Sequence, residues 1–149
     1  MSTDQQFIAE VSYMLEEHFH IKSESVEVLP LGNDPSASVY KIVDLNHKTY
    51  FLKRSKGEEL KAGVRMPYYL YSQGIDTVIS PIVSKKGDLW VSEKGYTWVL
   101  YPFVDSRSGY EVEFSPFQWS SFGESLRNIL KNCIHLYNEK ISTLIRVLL

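Results

Sequence analysis

Ser38-Val39-Tyr40-Lys41-Ile42-Val43-Asp44-Leu45-Asn46-His47-Lys48-Thr49-Tyr50-Phe51-Leu52-Lys53 is the stretch that decides the fold. Its first six residues alternate and are rich in β-branched side chains, a pattern that suits a pleated strand. Asn46-His47 has turn chemistry, and Thr49-Tyr50-Phe51-Leu52 resumes strand character. Two strands joined by so short a connection pair antiparallel. The apolar run from Val26 to Leu31 comes just before them and predicts a third strand, giving an antiparallel meander.

On the N-terminal side, Phe7, Ile8, Val11, Met14 and Leu15 fall at helical spacing, with Thr3 and Gln6 placed for a capping box. On the C-terminal side, Leu60, Val64, Tyr68 and Tyr71 predict another helix. Pro67 inside it predicts a kink or a late start, and Gly74 a stop. Strand patterns return over Val78 to Val83, Leu89 to Val91 and Thr97 to Tyr101, with turns at Lys86-Gly87-Asp88 and Lys94-Gly95. Val104 to Val112 reads as a linker. Ser115 is an N-cap, Pro116 takes the first helical position, and Gln118 closes a capping box. Trp119, Phe122, Leu126, Ile129 and Leu130 follow one face. Ile134, Tyr137, Ile141, Leu144, Ile145 and Leu148 keep the same period, which predicts a second helix folded back through a turn near Lys131-Asn132. The expected fold is α+β: an N-terminal helix, a mainly antiparallel sheet of five or six strands with one packed helix, then two C-terminal helices. Residues 1–104 form one part and 105–149 the other.

With 149 residues the chain is long enough for a core without staples. Sixteen Lys and Arg against 18 Asp and Glu leave a net charge of −2, which argues against a nucleic-acid or anionic-membrane binder. One cysteine, Cys133, excludes an internal disulfide and argues against a thiolate zinc site. No apolar run reaches spanning length, since Ile141 to Leu149 is short and carries Arg146. The start lacks the features of a signal peptide. These features predict a soluble cytoplasmic protein.

Three places carry candidate chemistry. Between Leu31 and Val39, Gly32 permits close backbone approach, and groups around Ser36 and Ser38 suit phosphate oxygens. Alone, the segment also fits an ordinary hairpin loop. Lys53 shares a strand face with Phe51, the face expected to be buried, where an ammonium calls for an anion; a lysine snorkelling from a strand end is the alternative. At Tyr101-Pro102-Phe103, proline ends regular pairing and leaves the backbone of Tyr101 and Phe103 for a flat ligand, or merely lets the aromatics pack. His18-x-His20 has metal-ligand character, but it lies at a helix end with no cysteine partner, and a structural role is favoured.

The order of these features, loop, strand lysine, helix, two strands and an aromatic hinge, is that of a kinase small lobe. The sequence resembles the aminoglycoside phosphotransferase family, and within it the spectinomycin phosphotransferase branch. Leu31-Gly32-Asn33-Asp34 with Val39-Tyr40, Tyr50-Phe51-Leu52-Lys53 and Val64-Arg65-Met66-Pro67 with Tyr69-Leu70 carry the likeness. It continues through Gln73-Gly74-Ile75, Val99-Leu100-Tyr101-Pro102-Phe103, Gly109-Tyr110, and Gln118-Trp119 with Gly123 and Leu126-Arg127. The resemblance implies a lobe that binds ATP or GTP with Mg2+. Lys53 would hold the α- and β-phosphates and pair with a helix glutamate. Lys61 stands where that glutamate is expected, so Glu58, one turn earlier, is preferred to Glu59. Gly32, Asn33, Ser36 and Ser38 would cover the phosphates, and Tyr101 and Phe103 would receive the base. The activity implied is phosphorylation of a hydroxyl on a small molecule, spectinomycin-like aminoglycosides leading. None of His18, His20, His47 and His135 has Asp two residues on, so the family's catalytic His-x-Asp loop has no match, and no catalytic or metal-binding residue is assigned in this chain. The reading is of a truncated enzyme. A non-catalytic nucleotide-binding or interaction module and a gene remnant remain as alternatives. Apolar C-terminal faces predict self-association.

Overall fold

A computed structural model describes residues 3–30, 37–57, 61–105 and 112–148. Helix α1 spans Thr3–Phe19 and leads into β1 (Ser23–Leu29), β2 (Ala37–Asp44) and β3 (Thr49–Lys56). Helix α2 (Lys61–Ser72) comes next, followed by β4 (Val91–Glu93), β5 (Tyr96–Pro102) and α3 (Pro116–Leu148). The strands form one sheet in the order β1-β2-β3-β5-β4, with every pairing antiparallel. This is the expected α+β class with five strands. The chain divides into two compact units, one of Met1–Tyr68 with Ile79–Val104 and one of Tyr69–Val78 with Asp105–Leu149.

In the first unit, alternation gives the sheet two distinct faces. Tyr40, Ile42, Tyr50, Leu52, Trp98 and Leu100 form a buried cluster with Val11, Met14 and Leu15 of α1. The apolar stripe of α1 therefore has the sheet as its partner. The β2–β3 turn is locked by Asp44, whose Oδ1 accepts from the amides of Asn46 (2.8 Å) and Lys48 (2.9 Å). Its Oδ2 accepts from the Tyr50 hydroxyl at 3.2 Å. Burial pushes the Asp44 carboxyl up, but these donors outweigh it and hold it below its ordinary value. Burial and the facing Asp44 carboxylate raise the Tyr50 hydroxyl. His18 Nε2 lies 3.2 Å from Glu93 Oε2, joining α1 to β4, which is a structural role.

Three expectations need correction. Val78 to Val83 is not a strand; only Ile82 bridges, to Leu100. Pro81 withholds a donor there, and a turn follows in which Ser84 Oγ accepts from the amides of Lys86 and Asp88, both at 3.2 Å. The next strand starts at Val91 rather than Leu89. At the C-terminus one helix of 33 residues replaces the expected hairpin of two. Lys131-Asn132 contains neither Gly nor Pro, and Asn132 Nδ2 donates to the Asn128 carbonyl at 2.9 Å within the helix, so nothing there breaks it.

Helix ends follow their local chemistry. Helix α2 runs through Pro67. It ends in a Schellman arrangement, with Ile75 N–H donating to Leu70 O (3.1 Å), Gly74 N–H to Tyr71 O (3.0 Å), and Gly74 at φ 84°. Helix α3 opens with the expected capping box: Ser115 N–H donates to Gln118 Oε1 at 2.9 Å and Gln118 N–H to Ser115 Oγ at 3.3 Å.

Candidate functional site

The face of the sheet away from α1 carries Val39 and Lys41 of β2, Phe51 and Lys53 of β3, and Val99 and Tyr101 of β5. Strand register lines them up. Lys53 lies between Val39 and Val99, and Phe51 between Lys41 and Tyr101. Val39 and Val99 are buried, whereas Lys53 is half-buried and engaged rather than unpartnered. An ammonium flanked by two valines is in a medium that strengthens its attraction for anions. At the other end, the rings of Phe51 and Tyr101 meet edge-on at 6.2 Å, and Lys41 Nζ sits 5.0 Å above the Phe103 ring. The arrangement is a strip with the Lys53 ammonium at one end and, at the other, aromatic rings with Lys41 over one of them, suited to a ligand that is anionic at one end and flat at the other.

Phe51 and Lys53 do share a face, but it is not the main core face. The core lies under α1, and the cation of β3 on that side is Arg54. Its guanidinium stacks 3.6 Å from the Tyr96 ring centroid, with Trp98 at 5.1 Å and Phe7 at 5.2 Å. Glu10 lies 3.9 Å away. Arg54 Nε is buried with no hydrogen-bond partner among the described residues. Cation–π attraction is what makes a guanidinium tolerable in that position.

Other expected site residues fall differently. Ser38 pairs with Arg54 across the strands, so its side chain falls on the α1 side, opposite Lys53. The Phe103 amide is not left for a ligand, because it donates to the Thr49 carbonyl at 3.3 Å. Pairing thus continues one residue past Pro102. Gly32, Asn33, Ser36 and Glu58 lie outside the described residues, as does Glu59. The lead-in to that segment is fixed: Gly57 has φ 83°, its amide donates to Gly95 O at 3.1 Å, and its carbonyl accepts from Thr97 Oγ1 at 2.7 Å. Lys41 joins this face without having been singled out from sequence, although the alternation from Ser38 to Val43 places it on the side of Val39.

Neither a protein-family model nor a curated protein sequence matches the chain. Solved structures match it by fold. Spectinomycin phosphotransferase APH(9)-Ia, in complex with ADP and spectinomycin, superimposes with a TM-score of 0.76 at 24% identity, over 81% of this chain and 36% of its own. Its AMP-bound complex gives 0.72 at 21% identity over the same shares. The chain shares the fold of one part of these phosphotransferases. Amicoumacin kinase in complex with AMP-PNP, Ca2+ and Ami agrees, with a TM-score of 0.53 at 18% identity over 72% of this chain and 35% of its own. The chain therefore spans about a third of the length of these kinases. The five-stranded antiparallel sheet matches the kinase-like small lobe that the sequence resemblance implied, whereas the single long helix after β5 departs from the expected pair. Among the described residues no group of three His, Cys, Asp or Glu is placed to hold a metal, and no helix is long and apolar enough to cross a membrane.

Proposed function

We propose that the chain is the nucleotide-binding lobe of a kinase-like phosphotransferase that moves the terminal phosphoryl group of ATP or GTP to a hydroxyl of a small molecule, spectinomycin-like aminoglycosides being the leading class. The observation that carries this reading is the placement of Lys53 between Val39 and Val99, on the same sheet face as the rings of Phe51 and Tyr101. The neighbouring folds hold ADP, AMP or AMP-PNP, which supports a nucleotide as the ligand of that face. Lys53 binds the α- and β-phosphates, with Glu58 as its helix partner. Backbone groups of Gly32, Asn33, Ser36 and Ser38 cover the phosphates, the role the family resemblance gives them, since successive backbone amides can bind anions. Tyr101 and Phe103 bound the base slot through their rings, because the Phe103 amide is already used.

Magnesium would accompany the nucleotide and offset its charge. In this reading the lobe contributes nucleotide binding and orientation. The carboxylate that positions an acceptor hydroxyl falls to the two-thirds of the fold that the chain does not span.

Calorimetric titration with ATP and GTP tests the reading. Lys53→Ala should weaken nucleotide binding by an order of magnitude, since a hydrogen bond to a charged group is worth roughly 1.5–3 kcal/mol. Equal affinity of the two proteins would remove Lys53 from the site. Incubation with labelled ATP and spectinomycin should give no labelled product, and turnover by the chain alone would overturn the assignment of the transfer step elsewhere.

A further inference from the structure

Lys41 stands at the aromatic end of the sheet face that carries Lys53. Its neighbours across the strands are Glu27 on β1 and Phe51 on β3, and the three side chains share one face. The ammonium does not turn to the carboxylate. It extends across β3 instead, to lie 5.0 Å above the ring of Phe103. Among the described residues no carboxylate pairs with it. An ammonium carries three N–H donors and no acceptor, and a ring face below it leaves donors available to a ligand. Along β5, Val99 faces Lys53 and Tyr101 faces Phe51, and Phe103 follows two residues further on. At about 3.3 Å per residue, Phe103 is on the order of 13 Å from Val99. A ribose and a purine fit that interval, between one ammonium group and the other.

We propose that Lys41 reads the edge of the nucleobase and makes this lobe select guanine over adenine, and so GTP over ATP. The inference rests on the nucleotide reading given above and narrows it to one base. Guanine presents two acceptors, O6 and N7, side by side, whereas adenine presents N7 beside an amino group that donates. A donor-only ammonium satisfies both guanine acceptors and meets the adenine amino group donor to donor. Lysine on the O6 and N7 pair is a recurrent specific contact to guanine. The surroundings sharpen the difference. Lys41 is half-buried among the rings of Phe51 and Phe103, where a mismatched donor costs more than it does in water. The Phe103 amide is spent on the Thr49 carbonyl, which leaves the Lys41 ammonium as the cationic donor at that end.

Calorimetric titration of the full chain with GTP, ATP and ITP tests this. GTP should bind about tenfold more tightly than ATP. ITP, which keeps O6 and N7 but lacks the 2-amino group, should bind like GTP. Lys41→Met keeps a long side chain over Phe103 without its donors, and should bind GTP and ATP alike with the thermal transition of the sheet unchanged. Lys41→Arg should keep the preference, because a guanidinium also serves O6 and N7. Lys53→Ala separates this inference from the reading beneath it, since it should weaken GTP and ATP by the same factor. If the wild type binds ATP as tightly as GTP while Lys53→Ala still weakens both, the nucleotide site stands and the role of Lys41 falls. A GTP preference that survives Lys41→Met, or ITP binding like ATP, overturns it as well. No binding of either nucleotide to the wild type removes the nucleotide reading and this inference together.

Discussion

Helices α1 and α3 are written in the same code and meet different fates. Both carry apolar residues at steps of three and four. In α1 those residues, Val11, Met14 and Leu15, are fully buried against the sheet, whereas in α3 Trp119, Leu126 and Leu130 stand in solvent. Periodicity determines that a helix has an apolar side. Whether that side is buried depends on a surface elsewhere, and only α1 has that surface within the described chain.

The largest effect that should separate the two helices is a core cavity. Met14→Ala should cost about 2–5 kcal/mol, because the sheet holds the space open, while Leu126→Ala should leave unfolding of the sheet within about 0.5 kcal/mol. Denaturant titrations of the two variants decide it, and equal losses would mean that α3 is also part of the folding core.

The pH dependence of the sheet unit sharpens the contrast next. Asp44 is held below its ordinary value, so its contribution is present above the unfolded carboxyl value of about 4 and is lost as pH falls through the lower folded value. Asp44→Asn should flatten the acid limb of the stability curve, as seen in thermal melts from neutral pH downward. Tyr50 works at the other end. Its raised value adds stability that persists up to about pH 10 and is lost as pH rises through the folded value.

The smallest effect is local to α3. Ser115→Ala removes one half of the capping box and should cost the first turn about 1 kcal/mol, seen as faster hydrogen exchange at the Gln118 and Trp119 amides with no change in the sheet.

Much of this was open to reading because the signals are local. The alternation from Ser38 to Lys53, the Asn46-His47 turn, the Gly74 stop and the Ser115 cap each depend on a few adjacent residues, and each stands where expected. The errors share another cause. Alternation put Phe51 and Lys53 on one face, but which face α1 would cover is settled by the packing of Val11, Met14 and Leu15. From sequence the Phe103 amide is available because Pro102 ends regular pairing, yet the carbonyl that claims it belongs to Thr49, on another strand. The missing hairpin in α3 came from expecting every apolar face to find a local cover.

Among the described residues, the order β1-β2-β3-β5-β4 leaves β1 and β4 with one unpaired backbone edge each. Such edges invite strand addition and fibrillar aggregation. Here β4 is only three residues long, too short to template a partner strand. On β1, Glu24 and Glu27 are both exposed, and one carboxylate would meet another if two such edges approached. The sheet is thus guarded against polymerising with its own kind.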